Sequence, residues 1–226
     1  RQRIAMMLDE LPEPDDLRQT VARLAEMGDP RKEAPTIVGR PTDSKKFLRS
    51  YALVDIETGK AVGTKTRFQV RWDDEGAVIF EIKCDEPDMK NLFVTDDVWT
   101  GDSIAIQLET QGHAYYQIEV NPDGKIFDAD RHGRLNQRWK SNATVETERG
   151  ADFWSVVVRI PVVDAEEGAA DPNHHVVGAK PGMDSPWYMN VGRTRVRPSG
   201  KTSWSFPHTG TRSYHVPERF AKMVIE

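Results

Sequence analysis

From about Phe47 onward, apolar and polar residues alternate with a period of two. Phe68, Val70 and Trp72 interleave with Arg67, Gln69 and Arg71, and Val78, Phe80 and Ile82 with Ile79, Glu81 and Lys83. The polar run Asp73-Asp74-Glu75-Gly76 between them predicts a hairpin loop. The same alternation recurs at Ile104-Ile106-Leu108, Tyr116-Ile118-Val120 and Val156-Val158-Ile160, and Asn121-Pro122-Asp123-Gly124 predicts a turn after Val120. Phe220 to Ile225 reads as a last short strand, and 164–186 as a long surface loop. Successive side chains leave a strand on opposite faces, so each segment offers one apolar face to a core. Short strands at regular spacing predict an all-β fold, an antiparallel β-sandwich of two sheets, jelly-roll or immunoglobulin-like.

The first forty residues follow another rule. Leu17, Val21, Leu24 and Met27 recur at helical spacing after Asp15-Asp16, with Gly28 and Pro30 as stop signals. This predicts an amphipathic helix over 15–27 and a Pro-containing basic linker from Pro30 to Pro41. One helix cannot bury its own apolar stripe, so it is an appendage that must dock on something else. The expected division is 1–35, helix and linker, and 36–226, sandwich.

Composition narrows the function. Thirty-one Lys and Arg against 36 Asp and Glu give a net charge of −5, which disfavours a polyanionic partner such as nucleic acid. No apolar run is long enough for a membrane span. Cys84 is the only cysteine, which excludes an intrachain disulfide, a CxxC pair and a multi-cysteine zinc site. It ends an apolar alternation and is expected to be a partly buried structural thiol. The sequence opens on Arg1 without a signal segment and is expected to be a mature form or a piece of a longer chain.

Most enzyme templates fail: there is no GxSxG, HExxH, P-loop or strand-turn-helix GxGxxG. Acidic groups at Asp85-Glu86-Asp88, Asp96-Asp97 and Asp128-Asp130 could serve glycoside hydrolysis or calcium, but none matches an EF-hand and each also reads as solvated surface. The six histidines form no recognisable metal set. Trp72, Trp154 and Trp187 sit in apolar alternation and read as core. Trp99 lies instead in a polar loop, as a lid over one end of the fold or as an exposed platform. Sugars present apolar C–H faces that stack on such platforms, with polar side chains orienting their hydroxyls.

The string Trp99-Thr-Gly-Asp102-Ser103-Ile-Ala-Ile106 followed by Tyr116-Gln117-Ile-Glu119-Val-Asn121 resembles the W-x-x-D-S-V-E-I and Q-F-x-V-N segments of family 9 carbohydrate-binding modules. Trp154 to Pro161, Trp187 to Arg193, Ser203 to Pro207 and Ser213 to Phe220 resemble the later segments of that family, in order. The resemblance covers about 36–226. It implies a sandwich related to DOMON-like folds and non-catalytic binding of a mono- or oligosaccharide or a polysaccharide chain end. It also implies a secreted setting, extracellular or periplasmic, commonly beside a glycoside hydrolase domain. Carried over by position, Trp99 and Tyr214 would clamp a sugar ring, and Gln117 and Asn121 match. Ala105 stands where the family has glutamate and Glu119 where it has arginine. Glu119 then offers a carboxylate from the opposite side, with Arg193 or Arg195 as a replacement cation. No cofactor is assigned, though structural calcium is common in the family. The competing readings are a DOMON-like haem or redox module using Met189 and His215, a sandwich that has lost its sugar site and serves as an interaction domain, and a catalytic glycosidase.

Overall fold

The computed structural model describes residue 31 and residues 33–132 and 135–226; the helix expected over 15–27 lies outside the described residues. Alternation becomes strand wherever it was marked. β1 (Thr36–Pro41), β2 (Tyr51–Ala52) and β3 (Val54–Asp55) precede the expected hairpin of β4 (Thr66–Trp72) and β5 (Ala77–Asp85). Asp73 closes that turn, its carboxylate accepting from the amides of Glu75 (3.0 Å) and Ala77 (2.8 Å). A meander of β6 (Ser103–Thr110), β7 (His113–Val120) and β8 (Ile126–Asp130) follows. Then come β9 (Thr144–Arg149), β10 (Phe153–Val163), β11 (Val176–Val177), β12 (Trp187–Arg197), β13 (Gly200–Phe206) and β14 (Ala221–Ile225). No helix among the described residues is long and apolar enough to cross a membrane.

The strands form one large curled sheet in the order β11-β10-β5-β4-β1-β14-β12-β6-β7-β8, with β2 on β4, β9 on β10, and β13 on β12 and β3. Curling brings the apolar faces of its two halves into a single core. Phe68, Phe80, Trp154 and Val158 from one half share it with Ile106, Ile118, Trp187 and Met189 from the other. Trp72 of β4 meets Trp187 of β12 edge to face, 6.0 Å between centroids. Trp72, Trp154 and Trp187 are buried. Cys84 is more enclosed than expected, fully buried, and burial pushes its thiol up to about 11.

Two expectations are corrected. The sheet is mixed rather than antiparallel: β1 runs parallel to β14 and to β4, and β11 parallel to β10. Alternation reports which side chains face inward and carries nothing about the direction of the neighbouring strand. β1 changes partner midway, pairing with β14 through Gly39 and with β4 from Arg40. A Cβ at Gly39 would lie 2.5 Å from Ile225 Cδ1 and 3.0 Å from the Val70 carbonyl oxygen, so glycine here lets the three strands meet without crowding. The segment 164–186 is also not all loop, since it contains β11 and α1 (Ala165–Ala170). Asp164 caps α1 by accepting from the Glu166 and Glu167 amides, 2.9 Å each. Asp164 with Glu167 three residues on is a helix start signal of the capping kind.

Candidate functional site

Gln117 and Glu119 lie two apart on β7 and share a face. Register extends that face across the sheet. Gln117 is opposite Gln107 of β6 and Ala129 of β8, while Glu119 is opposite Ala105 and Phe127. One strand further, Asn190 and Gly192 of β12 are opposite Gln107 and Ala105. Ala105 and Gly192 are the small residues of the row, and the Tyr214 ring rests over the second. A Cβ at Gly192 would lie 2.4 Å from Tyr214 Cε1. The Tyr214 hydroxyl donates to the Arg193 carbonyl (2.7 Å) and lies 3.2 Å from Thr194 Oγ1. The segment carrying it is anchored where the Thr209 and Gly210 amides donate to the Ile56 carbonyl, 3.0 Å each, and Thr209 Oγ1 donates to the Ser213 carbonyl, 2.8 Å.

An open cavity of about 400 Å³ lies over this face, its walls including Trp99, Phe127, Gln117, Glu119, Arg131, Lys201, Tyr214 and His215. That volume is in the range of small-ligand sites. Trp99 sits on a short turn (Val98–Thr100) pinned by buried Val98, and its side is 42% exposed. It packs edge to face on Phe127, 4.4 Å between centroids at 88°. Of the two roles open to it, it is an exposed wall residue propped from behind.

The polar groups differ sharply in charge state. Glu119 is buried, and its Oε2 has no hydrogen-bond partner among the described residues. Burial pushes its carboxyl up to about 7, against the pull of the Lys201 and Arg131 charges and a hydrogen bond from Gln117. Burial, helped by the Arg131 charge, holds the His215 imidazole down at about 4, so it is neutral at pH 7. Its Nδ1 lies 3.2 Å from both Gln107 Nε2 and the Tyr115 hydroxyl. Burial raises the Tyr214 phenol to about 12. Arg131 Nε donates to Gln117 Oε1 at 2.5 Å and fixes that amide.

Trp99, Tyr214, Gln117 and Glu119 therefore share one cavity, and Asn121, Arg193 and Arg195 do not line it. Asn121 is buried in the turn after β7, where its amide donates to the Thr95 carbonyl (3.0 Å) and accepts from the Asp123 and Lys125 amides (3.0 Å each). Arg193 points the other way from Gly192, into the interior, and bonds Thr66 Oγ1 (2.9 Å), the Asp85 carbonyl (3.0 Å) and Glu86 (2.9 Å). Arg195 grips the same Glu86 through Nε (2.8 Å) and Nη2 (2.9 Å). Arg197 completes the cluster against Glu86 and reaches Asp102 at 2.7 Å. A buried guanidinium needs a counter-charge, and Glu86 already holds these. Burial works to raise Glu86, but the Arg195 hydrogen bond, the Asp88 amide and the Arg197 and Arg193 charges outweigh it and keep the carboxyl low.

Sequence reasoning missed Phe127, Arg131 and Lys201. A signal existed for the first two, since Phe127, Ala129 and Arg131 alternate, but it acquires meaning only with the pairing of β7 and β8. Met189 and His215 cannot share a haem: Met189 is in the apolar core, on the face opposite Asn190, whereas His215 lines the cavity. The acidic groups are largely engaged elsewhere, Asp96 with Lys125, Asp128 with Ser141 (2.8 Å) and Asp130 with His113 (2.7 Å). Among the described residues no group of three or more His, Cys, Asp or Glu is placed to hold a metal ion, so no calcium ligands are assigned.

No protein-family model matches the sequence, and no curated protein matches it significantly. Solved structures do share its fold. A candidate carbohydrate-binding protein from Bacteroides uniformis superposes with a TM-score of 0.65 at 14% identity, over 85% of this chain and 100% of that one. A family 9 carbohydrate-binding module from Caldicellulosiruptor kristjanssonii, solved in complex with cellotriose, gives 0.56 at 12% identity, over 84% and 93%. The same kind of module from that organism, in complex with glucose, gives 0.56 at 11%, over 84% and 95%. At these identities the likeness is one of fold.

Proposed function

We propose that this chain is a non-catalytic carbohydrate-binding module whose cavity seats a sugar ring between Trp99 and Tyr214. The observation that carries the reading is the meeting of four residues, distant in sequence, at one cavity: an exposed Trp99 propped on Phe127, Tyr214, an amide at Gln117 and a buried carboxyl at Glu119. Two aromatic rings suit the C–H faces of a pyranose, and the polar pair suits its hydroxyl rim. The fold shared with modules solved with cellotriose and glucose supports it. Family resemblance extends the proposal to a secreted, DOMON-related module serving polysaccharide breakdown beside a glycoside hydrolase. Asn121, Arg193 and Arg195 hold the scaffold in this reading, and Arg131 takes the cationic place.

Titration calorimetry with glucose, cellobiose, cellotriose and a wider saccharide panel tests it. Trp99→Ala should weaken binding by about 1–3 kcal/mol, the scale of an aromatic anchor, with a modest fall in melting temperature, because the half-exposed ring also packs on Phe127. Glu119→Gln should weaken binding less. No heat with any saccharide, or affinity indifferent to Trp99, overturns the proposal.

A further inference from the structure

The cavity is cationic in a chain that is not. The sequence carries five more acidic than basic side chains, yet the walls hold Arg131, Lys201 and Arg212 against the single carboxyl of Glu119. Arg212 is answered outside the cavity by Glu57, at 2.6 Å. Arg131 and Lys201 form no salt bridge among the described residues, although fifteen such contacts occur elsewhere in the molecule, several of them on open surface. Arg131 is also held in place, its Nε tied to Gln117. The other groups facing the cavity offset these charges only in part. Tyr214 is a neutral phenol, His215 a neutral imidazole, and Glu119, raised to about 7, is only partly ionised at neutral pH.

We propose, resting on the sugar-binding reading above, that the preferred ligand is an acidic saccharide whose carboxylate or sulfate is held by Arg131 and Lys201. A neutral sugar brings neither cation a counter-charge. An anionic substituent gives each a charge-assisted hydrogen bond, which is about twice as strong as a neutral one. Glu119 and Gln117 remain for ring hydroxyls, and Trp99 and Tyr214 for the ring faces. Guanidinium matches a carboxylate or a sulfate through paired donors, while the lysine ammonium acts as a point charge.

The test compares glucuronate, galacturonate and galactose 6-sulfate with glucose and galactose by titration calorimetry at low and high salt. The acidic sugars should bind at least tenfold tighter at low salt, and the gap should narrow as salt screens the charges. Whether the uronates or the sulfate lead identifies the anion. Lys201→Met, at an exposed position, should weaken acidic sugars several-fold more than neutral ones. Arg131→Gln, with its fold checked by circular dichroism, should remove more of the acidic preference and also weaken neutral sugars somewhat, because Arg131 fixes the Gln117 amide. Neutral sugars binding as tightly as acidic ones, or an acidic preference that survives both substitutions, overturns the proposal while leaving the sugar site standing. No binding of any sugar overturns both.

Discussion

Glu119 and His215 line one cavity, and burial drives each toward its neutral form. For the carboxyl this means a rise from 4.5 to about 7, for the imidazole a fall from 6.5 to about 4. The consequences for stability have opposite signs. Between pH 4.5 and 7 the folded protein holds a proton on Glu119 that the unfolded chain releases, so stability falls as pH rises, by about 3 kcal/mol in total. Between pH 4 and 6.5 the unfolded chain holds a proton on His215 that the folded protein lacks, so stability rises with pH. Solvent reaches His215 more freely, and its effect is roughly half as large. The two windows overlap, and the wild type should show only a shallow decline. Glu119→Gln removes the falling arm, so its stability should climb from pH 4 to 6.5. Urea unfolding across this range checks it: a variant whose profile still tracks the wild type would mean that Glu119 is not held neutral.

β12 shows how one strand serves two purposes. Its odd positions Arg193, Arg195 and Arg197 share the face that converges on Glu86, and its even positions Asn190, Gly192 and Thr194 share the face below the cavity. Period-two geometry lets a single strand build both the buried ion cluster and the floor under Tyr214. Gly192 is the point where the second task is most exacting, because only a missing side chain admits the Tyr214 ring. Gly192→Ala should push that ring outward, break its hydrogen bond to the Arg193 carbonyl and cost about 1–3 kcal/mol of stability, the usual price of overpacking. Sugar affinity should drop at least tenfold in the folded variant. A thermal melt and a titration together check this; unchanged affinity would show that Tyr214 is no part of the sugar's seat.

The curled sheet is tied across by its buried charges. Glu86, just past β5, binds three arginines of β12, and Arg197 continues to Asp102 at the start of β6, whose carboxylate also accepts from the Phe93 amide at 2.8 Å. The cluster thus joins the two halves of the sheet and the loop that leads to Trp99. Removing its centre leaves the Arg193 guanidinium buried without an anion, so Glu86→Gln should destabilise by about 3–5 kcal/mol. Denaturant unfolding gives the magnitude, and a loss under 1 kcal/mol would mean that water or Asp102 takes over. Below the melting transition, sugar binding should persist, because Glu86 lies outside the cavity.

Local pattern decided the strands, their inward residues, the turns at Asp73 and Asn121 and the buried tryptophans, because alternation and turn chemistry act over a few residues. Trp99 stands out as an aromatic residue in a polar loop, whereas Tyr214, Gln117 and Glu119 are marked by resemblance to family 9 segments rather than by local pattern. The direction of β1, the single curled sheet and the choice among cations depended on contacts between distant segments. Arg193, Arg195 and Arg131 are chemically identical in the sequence. Which of them faces the cavity depended on whether a buried carboxylate or an open cleft lay beside it, and strand register with long-range packing set that.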